Sequence, residues 1–503
     1  MRKTLLPLLV CLTLLTSCAA PPANQTLPPA LPPAVSPYDA PYGDETLRYT
    51  GQVALYLPSR DGQKLIVRYE ELALRHDVHS ARAILETLLR YPATEETASL
   101  GGGVNLSLYG SAPVEVSGGI CTVNLSASAL QLDRSDLYTV CLAIASTLCE
   151  LPDIQYVNVL ILGQAIAMDI TGCLPLGTVS PRPGEELPVL WEQMDARRAP
   201  LGQSPATVPV NATATLYFPL ADGSGIVPET RALSFPGQDP QQLALELTNA
   251  LSAGAQYTQG TAAMPSLGSL LTVDPIVTDL EDGGRLLTLR FNPGLEDTLR
   301  QAGVDMACFL AAVHRTLVTF IPLVSAVRVY VGDTQLTSLY SRVHGSTLLP
   351  EGVMLRAHFD AYLMRQVTLY MPFGSQLQAV RRPIHHAQAD SLLALTEQLM
   401  AGPTPSEASG GITAPLPAGL TEEDVLGLGM ENGTLLINLS AGFGQAIRLS
   451  ENETLICYSL VNTLCEAAGV ERARFFFDGQ TVEALAGTLY WGGEFLRSPG
   501  LIH

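Results

Sequence analysis

Short apolar runs separated by polar turns follow the same succession three times along the chain. Apolar residues that alternate with polar ones predict a β-strand, and apolar positions three or four residues apart predict one face of a helix. Each copy reads in order as two strands, a helix, two strands, a second helix and a strand. This β-β-α-β-β-α-β order predicts an α+β fold of three tandem modules, each a small sheet with two helices on one face.

Each copy opens with a strand that ends in proline. The openings read Leu55-Tyr56-Leu57-Pro58, Leu216-Tyr217-Phe218-Pro219 and Leu369-Tyr370-Met371-Pro372. Glycine and aspartate before the next apolar run predict a hairpin turn in the first two copies. A tyrosine in such a strand usually packs across a sheet or against a helix, so we expect the three tyrosines at equivalent, packed positions.

Two further motifs recur in the same order. A strand reads Val-Asn-Leu-Ser at 123–126 and Ile-Asn-Leu-Ser at 437–440, with Leu-Arg-Phe-Asn at 289–292 in the second copy. The second helix of each copy contains Thr-Leu. We expect the residue two places after each threonine to occupy one shared core site; these residues are Cys149, Val318 and Cys465.

Together these motifs resemble the GerM domain (GerMN). The openings, the Val-Asn-Leu-Ser strand and the Thr-Leu helix that leads to an apolar strand and Gly163 carry the resemblance, which covers most of the chain beyond residue 47. It implies a domain of sporulation and spore-germination lipoproteins of the cell envelope. It also implies assembly with partner proteins and a fold similar to the ring-building modules of secretion systems. Familiar members carry one or two copies, whereas this chain carries three.

Composition shifts set the expected module boundaries. The modules are placed at 48–178, 212–340 and 366–495, followed by a tail at 496–503. Between modules 1 and 2, residues 179–211 contain six prolines and read as a linker. Trp191 in this linker is expected to dock onto a domain or a partner, because a large apolar side chain is seldom left exposed.

The second connection, 341–365, is also assigned as a linker. Leu355, Phe359 and Leu363 are apolar residues within it. They leave open the alternative of an extra helix or strand that packs on a neighbouring module.

The first residues predict an export signal with a lipid anchor. Arg2 and Lys3 precede an apolar run at 5–15, which is too short for a membrane-spanning helix. The Leu-Thr-Ser-Cys that ends at Cys18 resembles the bacterial lipobox, whose cysteine thiol receives diacylglycerol; an ordinary signal peptide with a chance cysteine is the alternative. We expect a signal peptide at 1–17 and lipidation at Cys18. A proline-rich tether at 18–47 would then hold the modules at the outer face of the cell membrane.

The charge of the chain restricts its partners. A net charge of −20 argues against nucleic acid, because binding a phosphate backbone requires a basic surface. It also argues against adhesion to anionic lipid by charge alone. The expected partners are therefore cell-envelope proteins, further copies of the chain, and the membrane through the lipid anchor.

The cysteines do not form a complete disulfide framework. Two of the nine lie in the signal and at the lipid site, which leaves an odd number. Cys141 and Cys149, like Cys457 and Cys465, are eight residues apart on a predicted helix. This spacing places them about 12 Å apart, too far for a disulfide, so we expect cysteine to act as a small core residue.

The sequence shows no arrangement typical of a catalytic or metal site. The eight histidines form neither His-Glu-x-x-His nor a zinc-type pairing with cysteine. His385-His386 reads as an exposed strand end or turn, with a metal role as the alternative. Nucleophile-elbow, Ser-x-x-Lys and Cys-x-x-Cys motifs do not occur where a nucleophile or redox site would need them. The sequence therefore predicts no catalytic residues, no metal and no cofactor.

Two functions remain. The first is a non-enzymatic envelope lipoprotein whose modules bind other proteins or assemble; the alternative is a wall-directed enzyme or a ligand-binding lipoprotein with a cleft between modules. Exposed strand edges and sheet faces favour the first, and a deep cleft lined by titratable groups favours the second. We expect function to depend on the uncovered sheet face of module 2 or 3, and little on His385 and His386.

Overall fold

The computed structural model describes residues 37–281 and 283–503. The predicted signal peptide and the predicted lipid site at Cys18 lie outside the described residues, as does most of the predicted tether. Residues 39–503 form one compact unit that contains all three modules.

Module 1 contains the predicted succession of elements and one further short strand. Its opening hairpin is antiparallel and pairs Tyr56 with Val67. Its elements are β1 (Arg48–Pro58), β2 (Leu65–Arg75), α1 (Ala81–Leu89), β3 (Val114–Ser117), β4 (Ile120–Leu125), α2 (Arg134–Leu148), β5 (Tyr156–Ile161) and β6 (Gln164–Ala165).

The predicted linker at 179–211 folds onto module 1. It contains helix α3 (Leu187–Asp195), which has a proline in its first turn, a position where the missing N–H costs nothing. The apolar face of α3 is buried in the core, and the Trp191 ring lies 6.2 Å from the Tyr138 ring. Trp191 therefore docks onto module 1, and the segment is not a free connector.

Module 2 has the same order, with two additional short helices. Its elements are β7 (Val210–Pro219), β8 (Ile226–Phe235), α4 (Pro240–Ser252), α5 (Leu267–Leu270), β9 (Ile276–Asp279), β10 (Arg285–Phe291), α6 (Leu295–Gln301), α7 (Met306–Phe320), β11 (Val324–Val331) and β12 (Thr334–Gln335).

The second predicted linker is part of the packed structure, which settles the alternative left open by its apolar residues. Strands β13 (Ser338–Ser341) and β14 (Gly345–Leu348) pair with each other, and β15 (Val353–Met354) pairs with β11. Phe359 and Tyr362 are fully buried. The segment therefore packs on module 2.

Module 3 repeats the order once more and also has two additional short helices. Its elements are β16 (Met364–Phe373), β17 (Gln376–His385), α8 (Leu392–Met400), α9 (Pro405–Ser409), β18 (Val425–Glu431), β19 (Thr434–Leu439), α10 (Ala441–Arg448), α11 (Glu453–Ala468), β20 (Arg472–Phe477) and β21 (Glu494–Leu496).

The α+β class and the repeated order are confirmed, but the strands of each module form two separate ladders where one sheet was expected. The opening hairpin stands alone, and the remaining strands form a second sheet whose two central strands are parallel. The second helix contacts both. In α7 every residue but Met306 is buried, as expected for a helix covered on two sides.

The end of the predicted tether and the predicted tail both pack on module 3. Gly43 forms a parallel bridge with Gly427, and Leu47 belongs to the module 3 core. At the other end, the Leu377 carbonyl accepts a hydrogen bond from the His503 N–H over 2.7 Å. Residues 41–47 therefore pack on module 3 and do not form a free tether, although the segment begins with Pro41.

Apolar side chains form two main cores. Modules 1 and 2 share one, which includes residues of α2, α3 and α7, whereas module 3 has its own. Burial of apolar area is the main stabilising term in folding, so we expect modules 1 and 2 to unfold together and module 3 separately.

The seven described cysteines are free thiols. Six are buried, as expected of small core residues. Val318 and Cys465 occupy the shared core site, but Cys149 is only half-buried, because it caps the C-terminus of α2 where the helix reaches the surface. The expectation of full burial is wrong for Cys149.

Among the described residues, no single helix has the length and apolar character needed to cross a membrane. Only α6 and α7 together, bent by 106° at the break between them, meet that requirement by length and composition.

Candidate functional site

One hydrogen bond occurs at the same place in all three modules and explains two of the repeated motifs. The threonine of each Thr-Leu pair accepts a hydrogen bond through its hydroxyl oxygen from the backbone N–H of the tyrosine in the opening strand. The N···O distances are 2.9 Å for Tyr56 to Thr147, 2.9 Å for Tyr217 to Thr316 and 3.0 Å for Tyr370 to Thr463. The tyrosines are therefore equivalent, and the bond fixes each hairpin on its second helix.

The tyrosine hydroxyls add a second contact, to a glutamate just past the end of α2 in module 1 and within α11 in module 3. Tyr56 donates to Glu150 and Tyr370 to Glu466, each over 2.6 Å. The bond to Glu150, together with burial, raises the pKa of Tyr56 to about 12. In module 2 the position of the glutamate is Thr319, and Tyr217 is fully buried. The tyrosines pack against helices, as expected, and none is free to stack on a ligand.

Replacing Thr316 with valine is expected to lower the free energy of unfolding by about 1–3 kcal/mol, because the buried N–H of Tyr217 loses its acceptor. Valine matches threonine in shape, so the change removes the hydroxyl without opening a cavity. Urea denaturation followed by circular dichroism measures the loss. Thr334→Val, at an exposed position in β12, serves as the control and should leave the midpoint unchanged. An equal midpoint for Thr316→Val would contradict the assigned role.

The asparagine of the Val-Asn-Leu-Ser strand fixes the turn after the last central strand. Asn124 accepts a hydrogen bond from the Gly163 N–H over 2.8 Å, and Asn438 accepts one from Gly479 over 3.0 Å. Both glycines have positive φ, where a side chain would strain the backbone. Module 2 has Arg290 at this position, and its guanidinium lies 4.2 Å from the centre of the Tyr330 ring. Module 2 therefore carries a cation on the face that asparagine occupies in the other modules.

In each module, the face of the larger sheet that points away from the second helix is called here the outer sheet face. In module 1 this face is covered by the hairpin of module 2. Asn158 donates to Thr215 over 3.0 Å, and its carbonyl oxygen accepts from Thr178 over 2.9 Å. Asn158 and its neighbour Leu160 are buried. The outer sheet face of module 1 is thus an interface within the chain.

The outer sheet face of module 3 is also covered in part, by the segment before module 1. Asn438 donates to the Pro41 carbonyl over 2.9 Å, and the Gly43 N–H donates to Leu426 over 2.9 Å. Gly427 and Gly429 allow this close approach, because a side chain at either would overlap the segment. The expectation of an uncovered face is therefore wrong for module 3.

Among the described sheets, that of module 2 has the expected uncovered outer face. Ile276 is 43 % exposed, and Thr288, Arg290, Arg328 and Tyr330 are partly exposed on the same face. The equivalent positions in module 1 are largely buried. This face is therefore the candidate functional site, a half-exposed sheet surface with two arginines.

A buried ion cluster joins the modules. Glu115 on β3 accepts two hydrogen bonds from one nitrogen of Arg315 on α7, each 2.9 Å, and one from Arg356 over 2.6 Å. A second nitrogen of Arg315 donates to Asp360 over 2.9 Å. Arg315 is fully buried, and burial would raise the pKa of Glu115, but the two guanidinium groups lower it to about 2. The cluster therefore holds module 1 against module 2.

The histidine pair lies at the end of β17, as expected, but it is covered between modules 1 and 3, so the expectation of exposure is wrong. His386 is buried, which lowers its pKa to about 4 and keeps it neutral, and His385 bonds to the Asp360 carbonyl over 3.2 Å. With His79 they line a cavity of about 230 Å³, below the usual range of about 300–1,000 Å³ for ligand pockets. Within the described residues no group of three potential ligands is placed to hold a metal.

A larger cavity lies beneath α3. It has a volume of about 610 Å³ and is lined by Tyr138, Arg182 and Arg197 among others. Its described lining contains no carboxylate, histidine or cysteine that could act as a base or nucleophile. Arg197 instead bonds to the Asn211 carbonyl over 2.6 Å. The cavity therefore lacks the pairing of groups that acid–base chemistry requires.

Sequence reasoning did not identify the ion cluster. One signal was present, because Arg315 is the single arginine or lysine in the mostly apolar stretch 306–320. A lone charge in a helix buried on all sides requires a partner. Nothing in the sequence points to Glu115, two hundred residues earlier, as that partner.

A family comparison matches two of the three modules. The sequence model of the Germane family, described as sporulation and spore germination, matches residues 54–167 and 368–483. These segments lie within modules 1 and 3. No curated protein matches the chain.

Two solved structures resemble parts of the chain. The tandem GerMN domains of the sporulation protein GerM from Bacillus subtilis are 17 % identical, with a TM-score of 0.21; the match covers 56 % of this chain and 91 % of that one. A lipoprotein from Clostridium perfringens is 15 % identical with a TM-score of 0.18, over 27 % of this chain and 91 % of that one. At these TM-scores the likeness supports no further structural conclusion.

Proposed function

We propose that this chain is a non-enzymatic envelope lipoprotein, because the Germane family model, described as sporulation and spore germination, matches its first and third modules. It is anchored through Cys18 at the outer face of the cell membrane and binds cell-envelope proteins during sporulation or germination. The module 2 surface does the binding, and the other modules position it.

The half-exposed outer sheet face of module 2 is the observation that supports this function best. The same face in module 1 is occupied by a hairpin of the same chain, which makes it a surface that this fold uses for protein contact. Tyrosine and arginine are enriched at the centres of protein interfaces, and Tyr330, Arg290 and Arg328 supply both. The described lining of the cavity of about 610 Å³ beneath α3 contains no carboxylate, histidine or cysteine.

Cells that make the chain are expected to lose heat-resistant spores, or to germinate slowly, when its gene is deleted. Reintroduced wild-type protein should restore the lost trait, whereas Cys18→Ala and Thr288→Glu/Tyr330→Glu should not. The first removes the lipid, and the second places two charges on the module 2 face. Spore counts after heating and the fall in turbidity after nutrient addition measure the two traits.

Three controls make this test specific. Labelling with a palmitate analogue should detect wild type and not Cys18→Ala, and circular dichroism should be unchanged by the substitutions at Thr288 and Tyr330. A variant with both His385 and His386 replaced by glutamine should complement as wild type does. Normal sporulation and germination in the deletion strain would refute the proposal. An essential histidine pair with a dispensable sheet face would favour a ligand-binding or enzymatic role instead.

A further inference from the structure

Within the described part of the chain, a hairpin covers the outer sheet face of module 1, whereas the outer sheet face of module 2 is left half-exposed. In the existing contact, Asn158 of module 1 meets Thr215 of module 2. Asn158 pairs with Thr122 across the parallel strands, as Arg328 pairs with Thr288 in module 2. Arg328 is therefore the equivalent of Asn158, on a sheet face that no described hairpin covers.

The hairpin of module 1 has an exposed surface equivalent to the one that module 2 uses in this contact. Tyr56 and Tyr217 are equivalent through their bonds to the second helix, so Ala54 takes the place of Thr215. Ala54 pairs across the hairpin with Tyr69, and the next outward-facing residue on that strand is Glu71. Tyr69 is 64 % exposed and Glu71 is also exposed.

We infer that the outer sheet face of module 2 binds the module 1 hairpin of a second copy of this chain. The inference rests on the proposed function and deepens it by naming one occupant of the module 2 face. The two surfaces differ, so the contact is head-to-tail. In a pair, one copy keeps a free hairpin and the other keeps a free face, so association can continue beyond two copies.

Charge selects the module 1 hairpin as the occupant. Arg328 and Arg290 make the module 2 face locally positive, and the carboxylate of Glu71 and the ring of Tyr69 both attract a guanidinium. The module 3 hairpin instead has Arg381, paired with Thr368, at the place of Tyr69. An arginine against Arg328 is repulsive, and like charges at an interface act against the wrong partner.

Sedimentation velocity of the full-length chain in detergent, over a range of concentrations, tests this contact. Arg328→Glu and Glu71→Arg should each weaken self-association at least about tenfold, because each sets like charges against each other. Glu431→Arg, an equal charge reversal at an exposed position at the end of β18, should leave association unchanged. Circular dichroism and an unchanged unfolding midpoint establish that each variant is folded.

An equal mixture of the two charge-reversed chains gives the decisive result. The glutamate introduced at position 328 of one chain would then face the arginine introduced at position 71 of the other. The remaining face and hairpin would keep their native charges, so association should return. A monomeric wild type, unaffected single variants or a mixture that stays dissociated would each overturn the inference.

These results concern the purified chain alone, so they are independent of the test in cells. Normal spores from the deletion strain would refute the proposed function and leave the measured self-association standing.

Discussion

Replacing Glu115 with glutamine is expected to lower the free energy of unfolding of modules 1 and 2 by about 3–5 kcal/mol, the usual cost of breaking a buried ion pair by removing one partner. Arg315 is fully buried and would keep a single carboxylate partner, Asp360, which is partly exposed. Glutamine retains the size of the side chain, so the loss reports charge and not packing.

The tryptophans allow the loss to be assigned to one core. Only two are present in the chain, Trp191 beside the core of modules 1 and 2 and Trp491 in the core of module 3. In a Trp491→Phe background, urea unfolding followed by fluorescence should shift to lower urea when Glu115 is changed. In a Trp191→Phe background the transition should stay in place. Glu96→Gln, which removes an exposed partner of Arg68, is the control, since exposed ion pairs contribute about 0–1 kcal/mol.

The same residue gives the chain a defined acid sensitivity. The pKa of Glu115 is about 2 in the folded chain, below its ordinary value of 4.5, so the unfolded chain binds the proton more readily. The carboxylate therefore stabilises the fold fully above pH 4.5, and this contribution is lost as the pH falls from 4.5 towards 2. The difference between wild type and Glu115→Gln should shrink over that interval. A difference that is independent of pH would contradict the assigned ionisation.

The repeated order of elements could be predicted because local patterns determine it. Period-two and period-3.6 apolar spacing, turn residues and the Thr-Leu motif all act over a few residues, and each Thr-Leu pair lies in a second helix as expected. The three tyrosines were also placed correctly, because residues in the same place of a repeat make the same contacts. Fold class and module order follow from such short-range information.

The surroundings of each module could not be predicted from the same patterns. Asn124, Arg290 and Asn438 occupy one position of the repeat, yet the sheet faces around them differ in what covers them. Their exposure depends on a hairpin or a terminal segment far away in the chain. Local periodicity shows that a face is moderately polar, but not which distant segment lies on it.

The linker and tether expected from proline content pack on the modules for a related reason. Proline prevents regular hydrogen bonding but does not prevent burial of the residues next to it. Residues 179–211 bury one face of α3, and Leu47 reaches the core of module 3 from the predicted tether. The expected exposure of His385 and His386 is wrong for the same reason, since this strand end of module 3 is covered by module 1.

Replacing Trp491 with alanine is expected to lower the free energy of unfolding of module 3 by about 3–5 kcal/mol, because it leaves a cavity in a core of aromatic rings. Trp491 is fully buried, with ring centres 5.0 Å from Phe475, 5.6 Å from Phe477 and 5.4 Å from Phe495. Its indole N–H also donates to Glu453 over 2.7 Å.

The loss of that hydrogen bond adds to the destabilisation that the cavity causes. Glu453 is itself buried and also accepts hydrogen bonds from the backbone N–H groups of Ala486, Thr488 and Leu489. It therefore ties the loop before β21 to the start of α11, and the indole completes this set of donors. Trp491→Phe should cost less than alanine, since it keeps most of the ring volume and loses mainly the donor.

Two probes separate this effect from a general loss of stability. In the Trp491→Ala chain, fluorescence comes from Trp191 alone and follows modules 1 and 2, whereas circular dichroism follows the whole chain. Part of the circular dichroism signal should be lost at lower urea, and the fluorescence midpoint should match that of Trp491→Phe. A fluorescence midpoint that moves together with the dichroism would show that the two cores unfold as one, contrary to the separate clusters of buried side chains in the structure.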